Sequence, residues 1–123
     1  MTPRTAVALI NLHHTLERIA KITAKGRTAV EGDEFLPLAA QQLGIRLGHD
    51  VAALPEEWRA TRPEIPWHSI RGLRTRLAHN YHEVDFDILW DAFVVNVPAM
   101  RDALSKYVDI AREVVAPPPN PSE

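Results

Sequence analysis

The chain has no cysteine. That excludes disulfides and thiolate metal sites, and it fits a reducing cytosol. Long hydrophobic runs are missing as well. The longest near the N-terminus, Ala6 to Ile10, is far short of the roughly 20 residues that span a bilayer. The opening Met1-Thr-Pro-Arg reads neither as a secretory signal nor as an anchor. The expectation is therefore a cytoplasmic chain that makes no membrane contact. Nor is there a surplus of positive charge: 14 Lys and Arg stand against 16 Asp and Glu, a net charge of −2. No global field recruits nucleic acid, so any such site must be a local patch. The sequence contains no Gly-rich phosphate loop, no nucleophile elbow and no His-Glu-x-x-His pattern. His13 and His14 are adjacent and face different ways, which makes them a poor metal pair. No metal and no cofactor are expected.

What is present is helical periodicity. The 123 residues suffice for one domain, and 46% are hydrophobic, enough for a real core. Leu9, Leu12, Leu16 and Ile19 recur at spacings of three and four within a helix expected from Pro3 to Lys25. Thr2 and Pro3 suit its N-cap and first position. Gly26 ends it, and residues 26–33 read as a loop. A second helix starts between Asp33 and Pro37, with Leu36, Leu43, Leu47, Val51 and Leu54 as its apolar stripe. Pro55 to Ala60 reads as a short extra turn. A third helix is expected from about Pro66, as its first residue, to His79, with Asn80 closing it. Asp85 suits the N-cap of a fourth, and Asp87 suits its dipole. Leu89, Phe93, Val97, Met100 and Leu104 form that helix's buried face, and Pro98 must kink or split it. Trp58, Trp67 and Trp90 read as packing residues, as do Phe35, Phe86, Phe93 and Tyr107.

With no repeat and no convincing strand, the fold class is all-α, an antiparallel bundle of four to five helices over residues 1–115. The tail, residues 116–123, is proline-rich and is expected to be disordered. A domain of this size buries only about 60–70% of its unfolded surface. That favours a homodimer, and Gly72, in mid-helix, is a place where another helix could approach.

One segment carries chemistry. From His68 to His82 there are three arginines, three histidines and no acid, a positive patch in an acidic chain. On composition alone, exposed arginines are solvated and a helix-terminal histidine is a dipole partner. Geometry adds a constraint. Arg74 and His79 are five apart, about 140° around an ideal helix. They converge only if the helix ends between them or if the arginine stem wraps round. Brought together, they would suit a phosphate: arginine offers a fixed fork of donors, and histidine moves a proton near neutral pH.

Arg74-x4-His79-x-Tyr81 resembles the Arg-x4-His-x-Tyr motif of HepT-like toxins of the HEPN superfamily. Pro66-Trp67, Gly72-Leu73, Leu77-Ala78 and Val84-Asp85 resemble the same stretch. Thr75 stands where these nucleases often carry asparagine, and Gly48-His49 stands nearest to a Gly-Glu pair of the family's second helix. The resemblance implies a helical bundle, a homodimer and metal-independent cleavage of RNA. It also implies a nucleotidyltransferase antitoxin as partner. It assigns catalysis to Arg74 and His79 and makes Tyr81 the acceptor of AMP from that antitoxin. Arg71, Thr75, Arg76 and Asn80 are candidate RNA contacts. The alternative is a non-catalytic module that binds a nucleotide or RNA, or docks the nucleotidyltransferase.

Overall fold

The computed structural model describes residues 1–79 and 86–117, with the side chains of residues 74–79 outside the description. The described residues are helical and contain no strand. The order is α1 (Pro3–Thr23), α2 (Arg27–Glu31), α3 (Leu36–Ala52), α4 (Glu56–Ala60), α5 (Trp67–His79), α6 (Phe86–Asp91), a π-turn (Ala92–Asn96) and α7 (Val97–Val115). Helix α1 lies at the centre. It packs along α7 on one side and α3 on the other, and α3 packs along α5. His13 meets Arg112 while Glu17 meets Arg101, so α1 and α7 run antiparallel.

Local chemistry explains the element ends. The Thr2 hydroxyl accepts from the Thr5 N–H at 3.1 Å, and Pro3 fills the first turn, where no N–H is needed. Leu9, Leu12, Leu16 and Ile19 are buried together. The chain leaves α1 through Gly26, whose φ of 87° favours glycine. Residues 27–31 are not loop but helix. Val30 is fully buried there, and Arg27 pairs with Glu31 one turn on, at 3.1 Å. The Arg27 guanidinium also pairs with Asp87 and lies over the Phe86 ring, which ties α2 to α6.

Phe35 is the clear exception to the expected core, at 67% exposed. Asp33 explains it. Its Oδ1 accepts from the N–H groups of Phe35 and Leu36 at 2.8 and 2.9 Å. That turn spends the backbone of Phe35 on starting α3 and leaves its ring outside. The stripe of α3 is otherwise as expected. Ala40, Gly44 and Gly48 add small residues to its buried side and let neighbouring helices lie close.

The expected last long helix is divided ahead of Pro98, which stands in the first turn of α7. The chain inserts a π-turn just before it, where the Val97 N–H donates to the Ala92 carbonyl five residues back. A proline cannot donate to the carbonyl four residues earlier, and its ring crowds that carbonyl. One widened turn absorbs both effects and lets α7 continue. Phe93, in that turn, is buried with Val97, Met100 and Leu104.

Between α1 and α7, two charged contacts are made at the surface. Glu17 accepts from Arg101 Nη2 at 2.7 Å and from Nε at 3.0 Å. Those hydrogen bonds hold its carboxyl below the usual carboxylate range. A depressed acid contributes stability above its unfolded pKa and loses it as pH falls through the folded value. Stability should therefore decline as pH drops below about 4.3, the ordinary glutamate value. In Glu17→Gln that decline should be shallower. Urea titrations at pH 6 and pH 3 check it, and an equal pH slope in both proteins would refute it. Both side chains are 38% exposed, so solvent screens the pair and the difference should be small.

Candidate functional site

The helix that carries the sequence motif is pinned at its start. Ile65, Trp67, Ile70 and Leu73 are buried. The Trp67 indole N–H reaches the carbonyls of Arg59 and Arg62 at 3.2 and 3.1 Å, closing α4 onto α5. Trp58 meets Trp67 and Tyr107 edge to face, and the Arg62 guanidinium stacks over the Trp58 ring at 3.9 Å. This aromatic corner ties the long α3–α5 connection to α7. It fixes where α5 begins, with Trp67 rather than Pro66 as its first helical residue.

The motif helix reaches His79, as expected, and of the two ways in which Arg74 and His79 could converge, an end between them is not the one taken. Helix α5 continues through His79, so both residues belong to one uninterrupted helix, about 140° apart around its axis. Residues Arg74, Thr75, Arg76 and His79 occupy its second half, with side chains outside the description. Asn80, Tyr81, His82 and Asp85 lie outside the described residues, so the expected closing role of Asn80 and the cap at Asp85 do too.

The described half of α5 is open to solvent on one side. His68, Ser69 and Arg71 are exposed. Arg71 lines a cleft of about 220 Å³ with Arg59, Trp67 and His68, beside the start of the helix. Among the described residues no neighbour requires Gly72, since a Cβ built there meets nothing within 4 Å. A close approach of another helix at Gly72 is therefore not made by the described residues of one copy. A second shallow cleft, lined by Ser69, Leu73, Ile88 and Asn96, separates α5 from α6 and the π-turn.

A second basic surface escaped the motif reading. Between α1 and α3 lies a groove of about 330 Å³ lined by Asn11, His14, Thr15, Arg18, Arg46 and Asp50. At its floor the buried Thr15 hydroxyl donates to Asp50 Oδ2 at 2.5 Å. One signal was available beforehand: Glu17 is the only acid among residues 1–30.

The comparisons with known proteins bear on the same region. The family described as "Ribonuclease HepT-like" matches residues 12–107. The chain belongs to this HepT-like ribonuclease family. Relatives include "Putative RNase TTE0752" of Caldanaerobacter subterraneus, 33% identical over 50% of this chain and 55% of its own length. "Putative RNase MJ0127" of Methanocaldococcus jannaschii is 35% identical over 54% of this chain and 59% of its own. "Probable ribonuclease HepT" of Thermococcus cleftensis is 28% identical over 49% of this chain and 54% of its own. The chain thus spans about half the length of the curated relatives it matches. No solved structure matches it. Among the described residues no helix is long and apolar enough to cross a membrane.

Proposed function

We propose that this protein is an endoribonuclease toxin that cleaves RNA by transesterification at the 2′-hydroxyl. The observation that carries the proposal is the family match over residues 12–107, which encloses Arg74-x4-His79-x-Tyr81 on and just beyond α5. RNA brings its own nucleophile, so the chemistry does not require a metal. A base takes the proton of the 2′-hydroxyl, and that oxygen attacks phosphorus. The bond from phosphorus to the 5′-oxygen breaks, and an acid protonates the leaving oxygen. His79 is assigned the proton work. Arg74 stabilises the charge that grows on the phosphoryl oxygens. One histidine cannot readily be base and acid in the same step. A homodimer that pairs two α5 segments supplies two copies, and the open space at Gly72 leaves room for such an approach. Arg71, Thr75, Arg76 and Asn80 are the proposed flanking RNA contacts. The test is incubation of purified, unmodified protein with RNA in EDTA. Products ending in a 2′,3′-cyclic phosphate, or its hydrolysed form, support the reading. Strict dependence on a divalent ion refutes the mechanism, and binding without cleavage supports the non-catalytic module instead.

The toxin reading includes its control by a partner nucleotidyltransferase, with Tyr81 as the AMP acceptor two residues beyond His79. An AMP group there adds bulk and a phosphodiester charge beside the catalytic pair. That charge competes for the arginine donors and repels RNA. Co-expression with the cognate nucleotidyltransferase should add AMP mass to the tryptic peptide that holds Tyr81. Tyr81→Phe should escape the addition and stay toxic. AMP found only elsewhere would remove Tyr81 from this role and leave the nuclease proposal standing.

A further inference from the structure

The α1–α3 groove joins residues that lie outside the Arg74-x4-His79-x-Tyr81 motif. On the exposed side of α1, Arg4, Asn11 and Arg18 recur at seven-residue steps, with His14 between the last two and Lys21 one turn on. At 100° and 1.5 Å per residue they fall within about 100° of the helix circumference and form a strip roughly 25 Å long. The strip contains no acid. Glu17, the one acid of the helix, lies about 100° round the axis from Arg18, one turn before Lys21, and is paired with Arg101. Across the groove, α3 contributes Arg46 and one acid, Asp50, whose carboxylate is held by Thr15. Arg18 and Arg46 are exposed and make no ion pair among the described residues.

The groove on the other side of α1 gives the contrast. There Arg101 pairs with Glu17 and Arg112 with Asp109, and Asp102 adds further negative charge. Its cations are already answered. Those of the α1–α3 groove are not, although the chain as a whole is acidic. Every residue lining the α1–α3 groove is polar. A protein partner would be expected to find an apolar centre in its interface. Phosphate contacts need only charge and hydrogen-bond donors, which arginine, histidine and asparagine supply.

We propose that the α1–α3 groove is a second RNA-binding surface, which grips the phosphodiester backbone through Arg18 and Arg46, with His14 and Asn11 donating beside them. This rests on the ribonuclease reading and adds to it a backbone track separate from the α5 motif. Contacts of this kind hold the strand without reading its bases. They would favour long RNA over short.

The experiment measures binding of a fluorescent single-stranded RNA of about 20 nucleotides by anisotropy, in EDTA, in a His79→Ala background that blocks cutting. Arg18→Ala with Arg46→Ala should weaken binding at least about tenfold at low salt. Losing two phosphate contacts should also make the salt slope shallower by about 1.4. Arg18→Lys with Arg46→Lys should keep most of the affinity. Lys106→Ala, an exposed cation on α7, should change it little. Circular dichroism confirms that each variant is folded. Equal affinity and salt slope in the double alanine variant would overturn the groove and leave the ribonuclease standing. An equal loss in Lys106→Ala would also overturn it, by showing a bulk charge effect. If the double alanine variant keeps RNA but loses a co-expressed nucleotidyltransferase, the groove docks protein and the inference fails. No RNA binding by the parent would overturn the groove and the ribonuclease reading together.

Discussion

Arg74→Ala and His79→Ala are each expected to slow RNA cleavage by at least about a hundredfold, the usual scale for a group that moves a proton or stabilises a transition-state charge. Expression of either variant should no longer arrest growth. The two losses should not add when combined, because the proposed mechanism has both residues act in one step. His79→Ala should retain RNA binding, since proton transfer is not needed to hold the strand. Arg74→Ala should lose some binding as well, because in the proposed mechanism the guanidinium also meets the phosphate in the ground state. Rates are measured with divalent ions chelated, and thermal melts are run beside them. Undiminished cleavage by His79→Ala would remove it from the chemistry. A loss matched by a large drop in melting temperature would point instead to a damaged helix. Helix α5 is held from its other end, by Trp67, Ile70 and Leu73, so that drop is not expected.

Much of the fold was legible because it rests on local spacing. The stripes of α1 and α3, the Thr2-Pro3 start and the buried face of α7 follow from residues close together in sequence. What was not legible depends on distant partners. Five residues make a helix at Arg27–Glu31 because Val30 finds the core and Arg27 finds Asp87, 60 positions away. Phe35 is exposed because Asp33 caps the turn that contains it, a choice its hydrophobicity does not announce. Pro98 announced a disturbance but not its form. Whether a helix breaks, bends or widens by one residue is decided by what must stay buried, here Phe93 and Val97 on the same side. The site divides in the same way. Arg74, His79 and Tyr81 stand within eight residues, so the motif is readable as a string. The α1–α3 groove is not, because its floor joins Thr15 to Asp50 across 35 positions. The scarcity of acids in residues 1–30 was visible, but only the packing of α3 on α1 turns it into a surface.

Phe93→Ala is expected to cost about 3–5 kcal/mol, the range for deleting a fully buried aromatic ring. The ring is 1% exposed in the π-turn, where the chain detours around Pro98. That turn contacts α1, α5, α6 and α7, so the cavity would open where four helices meet. Relaxation is restricted there. The widened turn already departs from ordinary helical hydrogen bonding, and the proline prevents it from simply rewinding. Domains of this size have about 5–15 kcal/mol in total, so the variant would sit near the edge of folding. Val95→Ala provides the comparison, two residues on in the same turn and 64% exposed. It should change stability by no more than about 0.5 kcal/mol. Urea denaturation of the three proteins at one concentration measures both, with the concentration fixed because a dimer would make the midpoint depend on it. Should Phe93→Ala cost under about 1 kcal/mol, the π-turn is not the packed junction described. If the cost is as large as expected, the variant should also lose cleavage on warming well before the parent does. Since α5 rests on the same turn, that loss would track unfolding, whereas the loss in His79→Ala would be present at every temperature.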